Sequence, residues 1–380
     1  MVLNSGKSGA VLLAVTWVLL ILTGILITLG YQAQLESLLY TGYKEELEAR
    51  AAARNLLQLV IHRLQHDESA YDAPGTIDFP FDLAYGLGYT YAAEVELWDE
   101  GSRFNLNNTP AYMWRSFFED TPECYTVVQQ WFFSQDNVPY STPAVVRQRY
   151  LFAVEELGRL PGADAIAAYK DQIYPELTVY SPALFYLLDG ETFLALLKRT
   201  GQDYGATTEM AMIDTFNRNR WDAMYQAGLF ELIGRLGLPV FPDIAKLETL
   251  ITTEGFLNPN FISPRHLNAV IGAPPVNSVR LYELRAIREA TPFISLDYFD
   301  AYLKEVYGEN YPAYVRLYFT LKTRIWGVRI RIMGATGTSF SLTAVLERSR
   351  EKALTSWAVK ILSLEEERVA AGEGGTGFVE

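Results

Sequence analysis

The chain of 380 residues has a single cysteine, Cys124, and only three histidines. One cysteine excludes an intrachain disulfide and any zinc cluster built from cysteines. Gly-x-Ser-x-Gly, His-Glu-x-x-His and a complete P-loop are all missing, and the one Gly-x-Gly-x-x-Gly, at residues 372–377, lacks the strand–helix context of a dinucleotide site. No motif selects a catalytic residue, so we expect no enzymatic activity.

Charge is missing from the N-terminal part of the chain. Lys7 is the only charged residue before Glu36, although the protein has 45 acidic and 32 basic residues and a net charge of −13. An acidic protein is a poor match for polyphosphate, so we expect no nucleic-acid partner. Residues 10–30 are uncharged, mostly apolar and long enough to span a bilayer. Lys7 favours a cytoplasmic N-terminus, which places the acidic body in the periplasm of a bacterium.

The apolar segment continues into an amphipathic one. Residues 31–65 contain no proline and one glycine, Gly42. Their apolar residues recur mostly at steps of three and four, as on one face of a helix; they are Leu35, Leu38, Leu39, Tyr43, Leu47, Ala51, Leu57, Ile61 and Leu64. We therefore predict one helix of about 55 residues, roughly 80 Å long, whose second half packs on a folded body.

Two groups of strands are predicted, with a helical region between them. Alternation at residues 93–98, a turn at 99–102 and a returning strand at 104–107 predict a hairpin. The second group comprises residues 314–321, 325–332 and 339–346, with a turn at 334–337. Residues 347–371 are predicted as a last helix, with a strand at 357–364 as the alternative, and a flexible Gly-rich tail follows.

The polar leader ends in Ser8-Gly9, and Ala10 begins the apolar segment, which is similar to a prepilin peptidase site. Together with the long helix that follows, this pattern resembles the K-type minor pseudopilins of type II secretion, within the type IV pilin-like superfamily. Most members have glutamate at the fifth mature position, where this chain has Ala14, and the K-type branch regularly lacks that glutamate. Four internal segments are also similar to this branch: residues 96–107, 154–163, 174–181 and 258–272.

The resemblance implies an α+β fold, in which a pilin-like long N-terminal helix packs on an antiparallel sheet that carries a large α-helical insertion. The implied divisions are a leader at 1–9, a transmembrane part of the helix at 10–30 and its amphipathic part at 31–66. The first part of the α/β domain is at 67–109, the insertion at 110–312, the C-terminal strands at 313–346, and a C-terminal helix with its tail at 347–380.

The resemblance also implies a function. Prepilin peptidase would cleave between Gly9 and Ala10, Ala10 would be N-methylated, and the missing glutamate at Ala14 implies the topmost place in a pseudopilus. The implied partners are I-type and J-type minor pseudopilins and the inner-membrane secretion platform. The competing hypotheses are a signal-anchored periplasmic enzyme or binding protein, and a helix-hairpin-helix protein of DNA uptake.

A few residues have a spacing that could suit a metal site or a DNA-binding motif. His62 and His66 are four residues apart on one helix, but two ligands do not close a metal site. Calcium binding is possible by composition, because side chains with oxygen donors cluster in two places. The first cluster is Asp99 and Glu100, and the second is Asp214, Asn217, Asn219 and Asp222. Residues 154–169 and 263–288 have a helix-hairpin-helix outline, for which simple packing is the stronger interpretation in an acidic protein. We therefore assign no metal ligand.

Overall fold

A computed structural model describes residues 5–74, 92–133, 150–202, 204–223, 228–308, 311–333, 339–350 and 357–369. Helix α1, Ser5–Gln65, is continuous over 61 residues, which confirms the predicted long helix. No proline interrupts it, and uncharged apolar residues occupy its first half. The predicted turn at 334–337 and the Gly-rich tail lie outside the described residues.

An antiparallel sheet of four strands packs beside α1. The strands are β1 (Ala92–Asp99), β6 (Ile325–Met333), β7 (Ser339–Arg350) and β8 (Trp357–Val369), and they lie side by side in that order. Alternation in β6 directs Val328, Ile330 and Ile332 towards α1, where each is at most 1% exposed. Arg329 and Arg331 point to the other face of the sheet, as the sequence predicts.

The region between β1 and β6 is mostly helical. It contains two pairs of two-residue strands and several 3₁₀ turns among its α-helices. The two-residue strands are β2 (Phe104–Asn105), β3 (Leu177–Thr178), β4 (Ala183–Leu184) and β5 (Ile251–Thr252), which pair in parallel as β2–β3 and β4–β5. The helices are α2 (Ala111–Phe117), α3 (Pro122–Phe133), α4 (Asp164–Ala167), α5 (Lys170–Ile173), α6 (Gly190–Arg199), α7 (Ala206–Ala223), α8 (Leu229–Leu236), α9 (Ile244–Leu247), α10 (Pro264–Ile271), α11 (Ser278–Tyr282), α12 (Leu284–Ala290) and α13 (Leu296–Tyr307).

Two hydrophobic cores hold these parts together. One lies between α1 and the sheet, and the other lies within the helical region, from Phe104 to Phe319 along the chain. The second is rich in contacts between aromatic rings. For example, the ring of Phe193 stacks on that of Phe216 with their centroids 4.4 Å apart. The fold is therefore α+β, with a long N-terminal helix on an antiparallel sheet and a large helical insertion, as expected.

The predicted C-terminal helix is wrong, because residues 357–369 form β8 and pair with β7 along its length. The alternative prediction of a strand is confirmed. A bulge between Val345 and Leu346 shifts the register of β8. As a result Ile361 and Leu364, three residues apart, both face the α1 side of the sheet, and this spacing imitates a helix.

The predicted hairpin of residues 93–107 is also wrong. Strand β1 pairs with β6, more than 200 residues away, and β2 leaves the sheet to pair with β3. The turn itself is present, since Arg103 N donates to Glu100 O and Ser102 N donates to Asp99 Oδ1. The segment 314–321, predicted as a strand, begins instead with a 3₁₀ helix at Ala313–Tyr318.

Candidate functional site: the exposed N-terminal helix and the network behind it

The apolar side chains in the first half of α1 are not covered by the rest of the described chain. From Leu12 to Leu29 every large apolar side chain is at least half exposed, with Leu12 at 70% and Ile27 at 68%. The helix is long and apolar enough to cross a membrane, and no residue of its most apolar window is buried by the rest of the chain. Thr16, Thr23 and Thr28 donate their hydroxyls to carbonyls four residues earlier, so no free hydroxyl donor opposes burial in lipid. This segment can serve as a single-pass anchor.

The second half of α1 packs on the sheet, but later than the sequence predicts. Packing starts at Ala49, and the buried face continues through Ala53, Leu56, Leu57, Val60 and Leu64. Small residues at 49–53 let the helix approach the strands closely. Arg50 and Arg54 then pair with Glu366 of β8, at 3.4 and 2.7 Å, which fastens the helix across the sheet.

The prediction that residues 35–47 also pack on the body is wrong. Tyr31, Leu35, Leu38 and Leu39 are 65%, 42%, 68% and 65% exposed. Each lies eighteen residues, or five turns of about 3.6, before a residue of the buried face: Ala49, Ala53, Leu56 and Leu57. The apolar stripe is therefore one continuous face of the helix, and this chain covers only its second part. The uncovered part is called the bare stripe below.

The residues of the implied processing site lie at the start of this helix. Gly9 and Ala10 belong to α1, and Ala14 is exposed on it. Ala14 lies within the bare apolar segment, and no described ion pair or hydrogen bond brings a charged side chain to it.

The internal motif segments meet behind the sheet, at its junction with the helical insertion. Asp99 accepts hydrogen bonds from Ser102 N and Ser102 Oγ at 3.1 and 2.6 Å. Asn258 N donates to Ser102 Oγ at 2.6 Å, and His266 Nδ1 lies 2.8 Å from Ser102 O, to which it donates. All four side chains are at most 5% exposed. Segments 96–107 and 258–272 therefore form one buried polar cluster.

The same junction includes the third motif segment. Asn105 Nδ2 and Asn108 Nδ2 both donate to Ser181 O, at 2.7 and 2.6 Å. Asn107 exchanges two hydrogen bonds with the backbone of Leu151, at 2.7 and 2.9 Å. Because these amides satisfy backbone groups of distant loops, they act as braces within the insertion.

A buried cluster of charges, which the sequence analysis missed, closes the junction on the sheet side. Arg348 of β7 is 1% exposed and pairs with Asp67, at 2.8 Å, and with Asp72. Lys322 pairs with the same two carboxylates at 2.8 and 3.2 Å. Two acids and two bases thus neutralise each other. Arg348 also lies over the ring of Trp357, 4.8 Å from its centroid. A fully buried arginine in an alternating strand has no signal in the sequence.

Burial perturbs the titration of this junction. Loss of solvent raises the pKa of Asp99 to about 7, although the two bonds from Ser102 oppose the rise. Loss of solvent lowers the pKa of His266 to about 4, against the bond to Ser102. Burial raises the pKa of Asp67, but hydrogen bonds from Lys322 and Ser69 outweigh it and lower the pKa well below its usual range. Asp99 and His266 are therefore both neutral around pH 6.

The remaining candidates do not assemble into sites within the described residues. His62 and His66 stack at 4.2 Å, and His66 Nδ1 is bonded to the carbonyl of His62. Asn217 and Asn219 lie along α7 and bond to backbone groups of Gly190 and Leu236. No three His, Cys, Asp or Glu side chains of the described chain could hold a metal together.

The segments with a helix-hairpin-helix outline also differ from that motif. Residues 154–169 form a six-residue 3₁₀ helix, a turn and the four-residue α4, which is too short to present a recognition helix. Leu157, Leu160 and Ile166 are buried in the insertion core. The segment is a packing unit.

The chain was compared with family models, curated proteins and solved structures. No family model and no curated protein matches the chain. The chain is similar to a chain in the crystal structure of the GspK–GspI–GspJ complex of the type 2 secretion system from enterotoxigenic Escherichia coli. The match has 12% sequence identity and a TM-score of 0.41, and it covers 86% of this chain and 97% of that chain.

Proposed function

We propose that this protein is a K-type minor pseudopilin of a type II secretion system. The observation that carries the proposal is the bare stripe. An apolar helical face that is buried from Ala49 onward continues, uncovered, for about 25 Å beyond the body before the membrane segment starts. Exposed apolar surface of this extent needs a cover, and helices of similar subunits offer a matching one.

The mechanism is physical and involves no reaction. The apolar half of α1 holds the protein in the inner membrane, with its body in the periplasm. When the subunit leaves the membrane, its apolar helix packs against the helices of neighbouring subunits, which replaces the lipid contacts. I-type and J-type minor pseudopilins are the proposed neighbours, and prepilin peptidase and the secretion platform act on the subunit before assembly.

Ala14 supports a position at the tip. In most pilins the glutamate at this place pairs with the N-terminal amine of a neighbour, and an alanine offers no carboxylate for that pair. A subunit with alanine here cannot form that pair with a subunit above it in the filament. The large insertion supports the same position, because so wide a body fits the end of a filament better than its packed shaft. From the tip, the subunit would initiate assembly of the pseudopilus and so promote export across the outer membrane.

The first experiment is mass spectrometry of the mature N-terminus. We expect a chain that begins at N-methylated Ala10. The matched pair Gly9→Val and Gly6→Val changes two glycines of the leader, and we expect only Gly9→Val to block processing. An intact Met1, or cleavage near Ala33, would favour a signal-anchored periplasmic enzyme or binding protein instead.

The second experiment tests the bare stripe. The double variant Leu38→Ser/Leu39→Ser removes apolar surface that this chain does not use, so we expect unchanged thermal stability. We expect co-purification of the full chain with I-type and J-type pseudopilins to fall, while Leu59→Ser, 44% exposed on the packed half of the helix, leaves it intact. Equal recovery of partners by both variants would remove the bare stripe from the interface.

A further inference from the structure

The outer edge of β8 is open. This strand of 13 residues is bonded along one side to β7, and no strand of the described chain pairs with its other side. At about 3.3 Å per residue the edge is roughly 40 Å long. A row of backbone donors and acceptors on such an edge is a template for a strand from another protein.

One face of β8 has exposed apolar side chains and the other is acidic, and this difference restricts which strand can pair with it. Ile361 and Leu364 stand on the α1 side, beside the fully buried Leu346 and Ala344, yet they remain 40% and 45% exposed. The helix covers the adjoining strands, and it forms ion pairs with Glu366 of β8. An added strand with apolar side chains on this face would extend the core between helix and sheet.

The opposite face of β8 is acidic. Glu365 and Glu367 are exposed there, next to the neutral Thr343 and Ser341 of β7, and no ion pair reaches either glutamate from the described residues. At the other edge of the same sheet the equivalent acids are matched. Glu94 and Glu96 of β1 stand opposite Arg331 and Arg329 of β6, with N–O distances of 3.3 and 3.2 Å.

We propose that the free edge of β8 pairs with a strand of a different protein, in which apolar residues alternate with arginine or lysine. Cross-strand pairs of opposite charge stabilise a sheet, and a basic partner strand could form two such pairs, with Glu365 and Glu367. A second copy is a poorer match, because antiparallel self-pairing that joins Lys360 to Glu365 leaves Glu367 opposite Ala358, and both copies have a net charge of −13. This surface is separate from the bare stripe and does not depend on processing or on the membrane.

The probe for the test is a fluorescent peptide with the sequence of β6, Ile325–Met333, which has the required alternation. Its counterpart has glutamate at both arginine positions. Binding of each peptide to the full chain in detergent is measured by anisotropy. We expect the basic peptide to bind, the acidic peptide not to bind, and Glu365→Lys/Glu367→Lys to weaken the basic peptide roughly tenfold and favour the acidic one. The control Glu231→Lys/Glu248→Lys has the same charge change in the insertion and should have no effect.

A fluorophore attached at Lys360→Cys locates the contact, because the native Cys124 is buried and labels poorly. We expect the basic peptide to quench it. Equal binding of both peptides, equal loss in the control variant, or no quenching at residue 360 would overturn the proposal. So would a dimer of the wild-type chain that the Glu365→Lys/Glu367→Lys variant abolishes. Failure of N-terminal processing would leave this measurement untouched, so the two proposals fail separately.

Discussion

Asp99 and His266 make opposite contributions to the pH dependence of stability, and single substitutions should reveal each one. Both groups are bonded to Ser102 within one buried cluster. The folded-state pKa of Asp99, about 7, lies above its unfolded value of 3.8, so the folded state binds more protons between these pH values. Its contribution is present at low pH and is lost as pH rises towards 7.

His266 acts in the other direction. Its folded-state pKa of about 4 lies below the unfolded value of 6.5, so the unfolded state binds more protons in this window. Stability is lost as pH falls from 6.5 to 4. At 1.36 kcal/mol per pKa unit, the two full effects amount to about 4 kcal/mol for Asp99 and about 3 kcal/mol for His266. They nearly cancel between pH 4 and 6.5, so the wild-type contribution of this cluster is almost flat.

Asp99→Asn removes one effect, and the stability of this variant relative to wild type should rise by about 4 kcal/mol from pH 4 to pH 7. His266→Gln removes the other, and its relative stability should fall by about 3 kcal/mol over pH 4 to 6.5. Chemical denaturation of the full chain in detergent, followed by tryptophan fluorescence across this range, measures both. Difference curves that stay parallel to the pH axis would refute the reasoning, since burial would then not shift either group.

Three further predictions concern the packing. Leu57→Ala, in the core between helix and sheet, should cost about 2–5 kcal/mol, whereas Leu59→Ala on the exposed face should cost under about 0.5 kcal/mol, both by chemical denaturation. Arg348→Met should cost about 3–5 kcal/mol, because Lys322 alone is then left to neutralise two carboxylates; a loss under about 1 kcal/mol in the same assay would contradict the ion-pair cluster. Gly327→Ala should lower the melting temperature, since its Cβ would collide with the ring of Trp98; in a Trp98→Ala background the same substitution should be nearly neutral, and an equal loss in both backgrounds would exclude the collision.

The parts of the fold that depend on local pattern were predictable from the sequence. The absence of proline from residues 5–65, an uncharged apolar first half and an amphipathic second half predict α1. Strict alternation predicts β6 and the start of β7. The partners of the strands were not predictable, because alternation at β1 identifies a strand but carries no information about β6, which lies far along the chain. In β8 the bulge places Ile361 and Leu364 on one face, and the run of three glutamates favours a helix locally, so tertiary pairing overrides the local preference.

In the candidate site, too, some features were predictable from the sequence and others required the fold. Residues 10–30 and Ala14 follow from composition and from resemblance to a family pattern. The end of packing at Ala49 does not, because Leu38 and Leu56 have the same side chain and the same helical phase, and only the position of the sheet separates them. Likewise Asn258 appears in the sequence as part of a motif, and only the fold explains it as a brace that reaches Asp72 O and Thr323.

The attachment of α1 to the sheet also has a mechanical consequence. A pull along the helix axis from the membrane end loads the contact with β6 and β7 in shear, so the side chains of the buried face share the load and do not detach one after another. The ion pairs of Arg50 and Arg54 with Glu366 resist rotation of the helix about its own axis. A continuous helix without proline has no sharp kink that could absorb displacement along its length. Force applied in the bilayer would therefore move the whole body as one unit, and the linkage would stretch very little.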